Sequence, residues 1–168
     1  MRDLCGFFIF QKYAIIRAAL KIIFLLNVMV PINYWAVLIA AVASMALGFL
    51  WYGPLFGKIW MTLSGMTDET IALAKSKGMG KGYALSFLGS LVMSYVLAHA
   101  IVFASAYLQV SEVSAGLTAG FWNWIGFIAP VTLGTVLWDG KPWKLWFLNN
   151  AYQLTSLLVM GVILSLWK

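Results

Sequence analysis

Of the 168 residues, 63% are hydrophobic and only 10% are charged, against about 25% charged in a soluble domain, and mean hydropathy is +0.92. These values exclude a second soluble domain and assign the chain to a membrane. The net charge of +6 does not imply a nucleic-acid partner, because the basic residues sit in short segments beside apolar runs. There they read as topology signals and contacts with anionic lipid.

The first 30 residues are ambiguous. Residues 7–10 and 22–30 are apolar, but Lys12, Arg17 and Lys21 interrupt the stretch. A spanning helix there would bury at least one cation, at roughly 2.5–3.5 kcal/mol. A signal peptide would have an overlong front region and no small-residue cleavage site after residues 22–30. An interfacial amphipathic helix is a third reading. The fourth is that translation starts at Met29 and that residues 1–28 are an upstream extension. Residues 1–32 are therefore treated as an N-terminal extension and 33–168 as a single transmembrane domain. Cys5 is the only cysteine, which leaves no intrachain disulfide, no dithiol redox pair and no cysteine-based metal site.

Four apolar runs follow, at 33–52, 82–109, 115–138 and 145–167, and none contains an acid, a lysine or an arginine. A hydrocarbon core of about 30 Å needs roughly 20 mostly apolar residues as a helix. The expected fold is all-α: a polytopic four-transmembrane-helix bundle, with a short cytoplasmic helix between spans one and two. The connection 53–81 holds Lys58, Lys75, Lys77 and Lys81, and the hairpin 139–144 holds Lys141 and Lys144. The opposite face has no Lys or Arg at 109–114 and only Lys168 at the C-terminus. Positive residues stay cytoplasmic, so the connection and the hairpin are expected inside, with Asn33 and Lys168 outside. This orientation requires that the extension cross the membrane, lie on its outer surface, or be absent through a start at Met29.

Within the connection, Gly53–Pro54 should end the first helix, because proline lacks an amide proton and restricts the residue before it. Phe56, Ile59, Trp60 and Leu63 around Lys58 suit a short interfacial segment. In residues 67–78, Thr67 is a plausible N-cap, Asp68 and Glu69 fall in the first turn, Lys75 and Lys77 in the last, and Gly78 at the C-cap. The charge order is what a helix dipole favours.

The spans carry small residues at helical spacing: Ala36, Ala40, Ser44 and Gly48; Gly82, Ser86, Ser90, Ser94 and Ala98; Gly116, Gly120 and Gly126; Gly161 and Ser165. Such faces let helix backbones approach closely. They suit packing within the chain, a pore lining, or the seam of a homo-oligomer. Pro130 lies inside the third span and should kink it by removing a bond to the Gly126 carbonyl, with Thr132 and Thr135 nearby.

Chemically reactive residues are few. Counting from the 109–114 turn at 1.5 Å per residue, His99 and Asn123 descend to similar depth, and pairing would satisfy both in a dry setting. Tyr95 lies one turn from His99 on the same face. The three form a candidate ligand-binding or proton-sensitive cluster, or a structural histidine hydrogen-bonded between helices. Asn149, Asn150 and Gln153 form a second polar patch, suited to interhelical hydrogen bonds. With one histidine and no carboxylate, the spans lack a metal-ligand set. No nucleophile elbow or glycine-rich phosphate loop is present, and no cofactor is implied.

Three stretches carry a family resemblance: NYWAVLIAAVASMALGFLWYGPLFGKIWM at 33–61, YALSFLGSLVMSYVLAH at 83–99, and residues 120–168 with GFWNWIGFIAP at their start. In these the chain resembles the bacterial membrane proteins grouped as domain-of-unknown-function family 1761. WYGPLFGK and the Trp-x-Gly-Phe-x-Ala-Pro element are its more specific parts. The resemblance implies four spans, a bacterial inner-membrane location and a start near Asn33. It implies no catalytic residues. Many relatives carry histidine where this chain has Gln153, so a histidine-based role at that position is in doubt here. Two classes of function remain. One is a non-enzymatic small membrane protein, either a transporter or channel subunit or a structural component, with membrane lipids as partners. The other is a membrane enzyme or accessory factor acting on a lipid or quinone. Proton-coupled cation export by a small four-helix exporter is disfavoured, since the embedded glutamate it needs is missing.

Overall fold

Asn33 opens the first span as an N-cap. Its side-chain oxygen accepts hydrogen bonds from the Trp35 and Ala36 amides at 3.0 and 3.2 Å, satisfying donors that the first turn leaves free. The structure is a computed structural model that describes residues 30–76, 78–108 and 112–167. The expectations for residues 1–28, including the Met29 start, lie outside these, as do Lys77, Gln109 and Lys168.

All the regular elements among the described residues are helical. Helix α1 (Tyr34–Leu50) continues into a wider π-helical turn, Trp51–Leu55. Two short helices follow, α2 (Gly57–Ser64) and α3 (Asp68–Ser76), and then α4 (Gly80–Leu108). Helix α5 (Glu112–Asn123) runs through a second π-helical turn, Trp124–Ile128, into α6 (Ala129–Thr132) and α7 (Gly134–Leu137). Helix α8 (Trp143–Leu166) is last. Four helical stretches are long and apolar enough to cross a membrane: Tyr34–Leu55, Gly80–Tyr107, Glu112–Leu137 and Trp143–Leu166. This is the expected four-span bundle with short helices between spans one and two.

The break after the first span falls at Gly53–Pro54. Gly53 leaves helical geometry at φ −106°, ψ −105°, and the Phe56 amide reaches back five residues to the Trp51 carbonyl at 2.9 Å. The turn is so tight that a Cβ on Gly57 would lie 2.7 Å from the Tyr52 carbonyl oxygen. Thr67 caps α3 as expected, exchanging hydrogen bonds with Thr70: the Thr70 amide donates to Thr67 Oγ1 at 3.3 Å and the Thr67 amide to Thr70 Oγ1 at 3.0 Å. Gly78 holds a left-handed φ of 80° beyond that helix.

The unit Ile32–Lys168 is organised around α8, which packs against all three other spans. Its core joins Ala36, Val37 and Ala40 to Leu97, Ala98 and Ile101, with Ala115, Ala119, Leu157 and Met160. These residues lie toward the end of the bundle that holds Asn33, Glu112 and Leu166, the core half. The opposite end, beside the 56–79 connection and the 138–142 hairpin, is the loop half. In the core half the small-residue faces meet within the chain. A Cβ on Gly116 would collide with the Gly161 carbonyl oxygen, one on Gly161 with that of Gly116, and one on Gly120 would lie 2.9 Å from the Leu157 oxygen. Backbones in direct contact are how helices associate when lipid is as apolar as leucine. The second span is used only in part: Ser90, Ser94 and Ala98 are buried, whereas Gly82 and Ser86 are exposed.

Aromatic side chains mark both ends. Tyr34, Trp35, Tyr107 and Trp167 are exposed at one, Trp138 and Trp143 at the other. Trp143 and Trp167 bracket α8 about 36 Å apart at 1.5 Å per residue, which suits interfacial belts around a core of about 30 Å.

Candidate functional site

The loop half holds the irregular backbone and most of the polar contacts between spans. Pro130 sits in the first turn of α6, where a missing amide costs least. The kink expected there takes the form of the preceding π-helical turn, with the Ala129 amide bonded to the Trp124 carbonyl. One turn on, Thr132 joins spans three and four. Its hydroxyl accepts from Asn150 Nδ2 at 2.9 Å and from Trp146 Nε1 at 3.1 Å. Its own proton reaches the Ile128 carbonyl oxygen at 2.9 Å. Both lone pairs and the proton are thereby used. Asn150, 2% exposed, sends its second amide hydrogen to the Trp146 carbonyl at 3.1 Å.

Spans one and four are joined in the same way. Tyr52 Oη donates to Asn149 Oδ1 at 3.1 Å, Tyr152 Oη to the Ser44 carbonyl at 3.3 Å, and the Ser44 and Ser156 hydroxyls meet at 2.7 Å. The Tyr52 ring packs edge-on against Trp60 and Tyr152 at 5.4 and 5.0 Å. Gly48 makes room for Tyr152: a Cβ there would lie 2.9 Å from the phenol oxygen. Ser94 ties span two to span one through the Val37 carbonyl at 3.0 Å.

Of the patch expected at 149–153, Asn149 and Asn150 therefore bond to different neighbouring helices. Gln153 is left differently: its Oε1 is buried without a hydrogen-bond partner among the described residues, as are Trp51 Nε1 and Trp124 Nε1.

The expected His99–Asn123 bond is not formed. His99 Nδ1 bonds the Tyr95 carbonyl of its own helix at 2.9 Å, and Asn123 Nδ2 bonds the Ala119 carbonyl of its own at 2.8 Å. A side chain that bonds the carbonyl one turn back needs no partner across the interface. Since a carbonyl only accepts, the His99 contact places a proton on Nδ1. His99 and Tyr95 do share a face, with rings edge-on at 4.5 Å, and Tyr95 stacks on Tyr34 of the first span at 6.5 Å. Asn123 takes no part in that cluster. No three His, Cys, Asp or Glu side chains converge among the described residues.

An open cleft of about 740 Å³ lies between α2 and the first two turns of α8. Phe56, Ile59 and Leu63 form one wall and Phe147 and Leu148 the other, with Lys58 and Lys144 also lining it. Lys141 Nζ lies 3.4 Å from the Ser64 carbonyl, bridging the hairpin to the end of α2. WYGPLFGK, a specific part of the family resemblance, contains Lys58, but only the structure puts it on one cleft with Lys144. A positional signal existed, since both begin helices at the same end of the bundle.

Four apolar spans packed through small residues and interhelical hydrogen bonds define a multi-pass α-helical membrane protein. The model of one family, described as "Protein of unknown function (DUF1761)", matches residues 35–165, and the chain belongs to that family. Comparison with curated proteins found no match, nor did comparison with solved structures.

Proposed function

We propose that the protein is a non-enzymatic small membrane protein, a structural component or the packed subunit of a transporter or channel. The observation that carries this reading is the use of four of the six buried polar residues among the described ones. Ser44, Ser94, Asn150 and Ser156 each hydrogen-bond a neighbouring helix. Polar groups placed for transport or catalysis instead face a cavity and include ionisable side chains. In this reading Asn149 and Asn150 hold helices together, and Tyr95, with His99 against its ring, packs the second span against Tyr34. The cleft beside α2 favours a second reading, an enzyme or accessory factor acting on a lipid or quinone. Incubating the purified protein in liposomes with quinone and following lipids and quinone by mass spectrometry separates the two. No turnover above empty liposomes is the expected result, and conversion of either would replace the first reading by the second.

The location proposed is a bacterial inner membrane, with the 53–81 connection and the 139–144 hairpin in the cytoplasm. The lysines at that end support it. A periplasm-active reporter fused after Lys168 should be active and a cytoplasm-active one silent. The reverse pattern would invert the orientation.

A further inference from the structure

We propose that the cleft between α2 and the start of α8 is a binding site for one anionic glycerophospholipid, with its phosphate at Lys58 and Lys144 and an acyl chain along the apolar walls. This goes beyond the functional reading above and holds for either orientation, because it stands on the cleft alone.

The chemistry of the lining selects the ligand. At about 740 Å³ the cleft is within the range of small-molecule sites. Its walls are almost wholly apolar, and large side chains stay uncovered on both sides: Ile59 is 54% and Phe147 62% exposed. A water-soluble solute gains little from such walls, whereas a hydrocarbon chain matches them. The two ammonium groups supply the other half of the match. No acidic side chain is among the described residues lining the cleft, so nothing within it neutralises Lys58 or Lys144. A neutral quinone would leave them so, and a zwitterionic headgroup brings its own cation beside its phosphate. A headgroup of net negative charge offsets them in part, and lysine binds phosphate as a point charge.

Position agrees with charge. Lys144 is the second residue of α8, beside Trp143 in the aromatic belt. Phe147 and Ala151 follow about 5 and 10 Å deeper along the same helix at 1.5 Å per residue. Lys144 therefore sits at headgroup level and the apolar walls continue toward the hydrocarbon.

The test is native mass spectrometry of the full chain in a mild detergent, titrated with phosphatidylglycerol or with phosphatidylcholine of the same acyl chains. Wild type should retain one phosphatidylglycerol in preference to phosphatidylcholine. Lys58→Gln and Lys144→Gln should each weaken retention about fivefold, and the double variant about 30-fold, as expected for a basic residue near an anionic surface. Ala151→Trp should fill the cleft and abolish retention with both lysines intact. Lys81→Gln, outside the cleft, should change nothing.

Equal retention of the two lipids, or an unaffected double lysine variant, would overturn the site. So would a Lys81→Gln loss as large as that of the double variant, which would indicate a diffuse field. Glycerol phosphate binding equally to wild type and Ala151→Trp, with no lipid retained by either, would show a headgroup-only anion site. A lipid-free dimer lost in Ala151→Trp would assign the face to a second copy of the chain. Circular dichroism checks folding, and if Ala151→Trp misfolds, the two surface lysine variants decide the matter alone.

Discussion

The two halves of the bundle are held together by different physics. In the core half, helices α1, α4, α5 and α8 are regular and meet through Ala, Gly and Ser, with backbone against backbone at Gly116 and Gly161. In the loop half, both membrane-span prolines and the later part of both π-helical turns are found, and the helices are linked by aromatic rings and by hydrogen bonds at Thr132, Asn149 and Asn150. Without a hydrophobic force between helices in lipid, close contact is the simplest cohesion and it demands small residues. Where the backbone departs from α-helical geometry, close contact is lost and freed polar groups must be met by side chains. That leaves the loop half more polar and less tightly filled, with a cleft where a ligand can enter.

The sharpest way to break this comparison is at the backbone contact. Gly161→Ala introduces a Cβ onto the Gly116 carbonyl, and backbone cannot step aside as a side chain would. A loss of roughly 1–3 kcal/mol or more is expected, read from denaturant unfolding in micelles. Gly126→Ala, with no neighbour within 4 Å of the new Cβ, should stay within about 0.5 kcal/mol of wild type. Equal losses at the two glycines would remove the distinction between a packed half and an open one.

Two double-mutant cycles sharpen it further with smaller effects. Asn150→Leu should lose about 0.5–2 kcal/mol by removing a membrane hydrogen bond. Combined with Thr132→Val it should cost less than the two single losses added, since neither group is then left unpaired. His99→Leu and Asn123→Leu, each bonded within its own helix, should add to within about 0.5 kcal/mol. Strong coupling between His99 and Asn123 would restore the pairing expected from the hairpin register. Additivity at Asn150 and Thr132 would dissolve the node that joins spans three and four.

Equal depth along the spans brings side chains together at one hairpin and not at the other. Thr132 lies seven residues before Asp139 and Asn150 six after Lys144, so the turn between them places both at one level, and there they bond. His99 and Asn123 are also brought to similar depth, yet each turns back on its own helix. Depth along a span follows from counting residues. Facing requires knowing the rotation of each helix about its axis, at about 100° per residue.

Several features were therefore fixed by the chain itself. The four apolar runs set the spans, because hydrocarbon length and backbone hydrogen bonding leave few alternatives. Asn33 and Thr67 set helix starts, and Gly53–Pro54 a break, through local bonds or steric limits that need no distant partner. The small-residue stripes showed which faces can approach closely. Only the tertiary structure decided that Gly116 and Gly120 meet α8 while Gly82 and Ser86 stay exposed, and that α8 is the central helix. It alone put Lys58 and Lys144 on one cleft. The reason is rotational: a π-helical turn carries an extra residue and shifts every later side chain around the axis, so α-helical spacing no longer gives the face beyond Trp51 or Trp124, and the neighbouring spans select it.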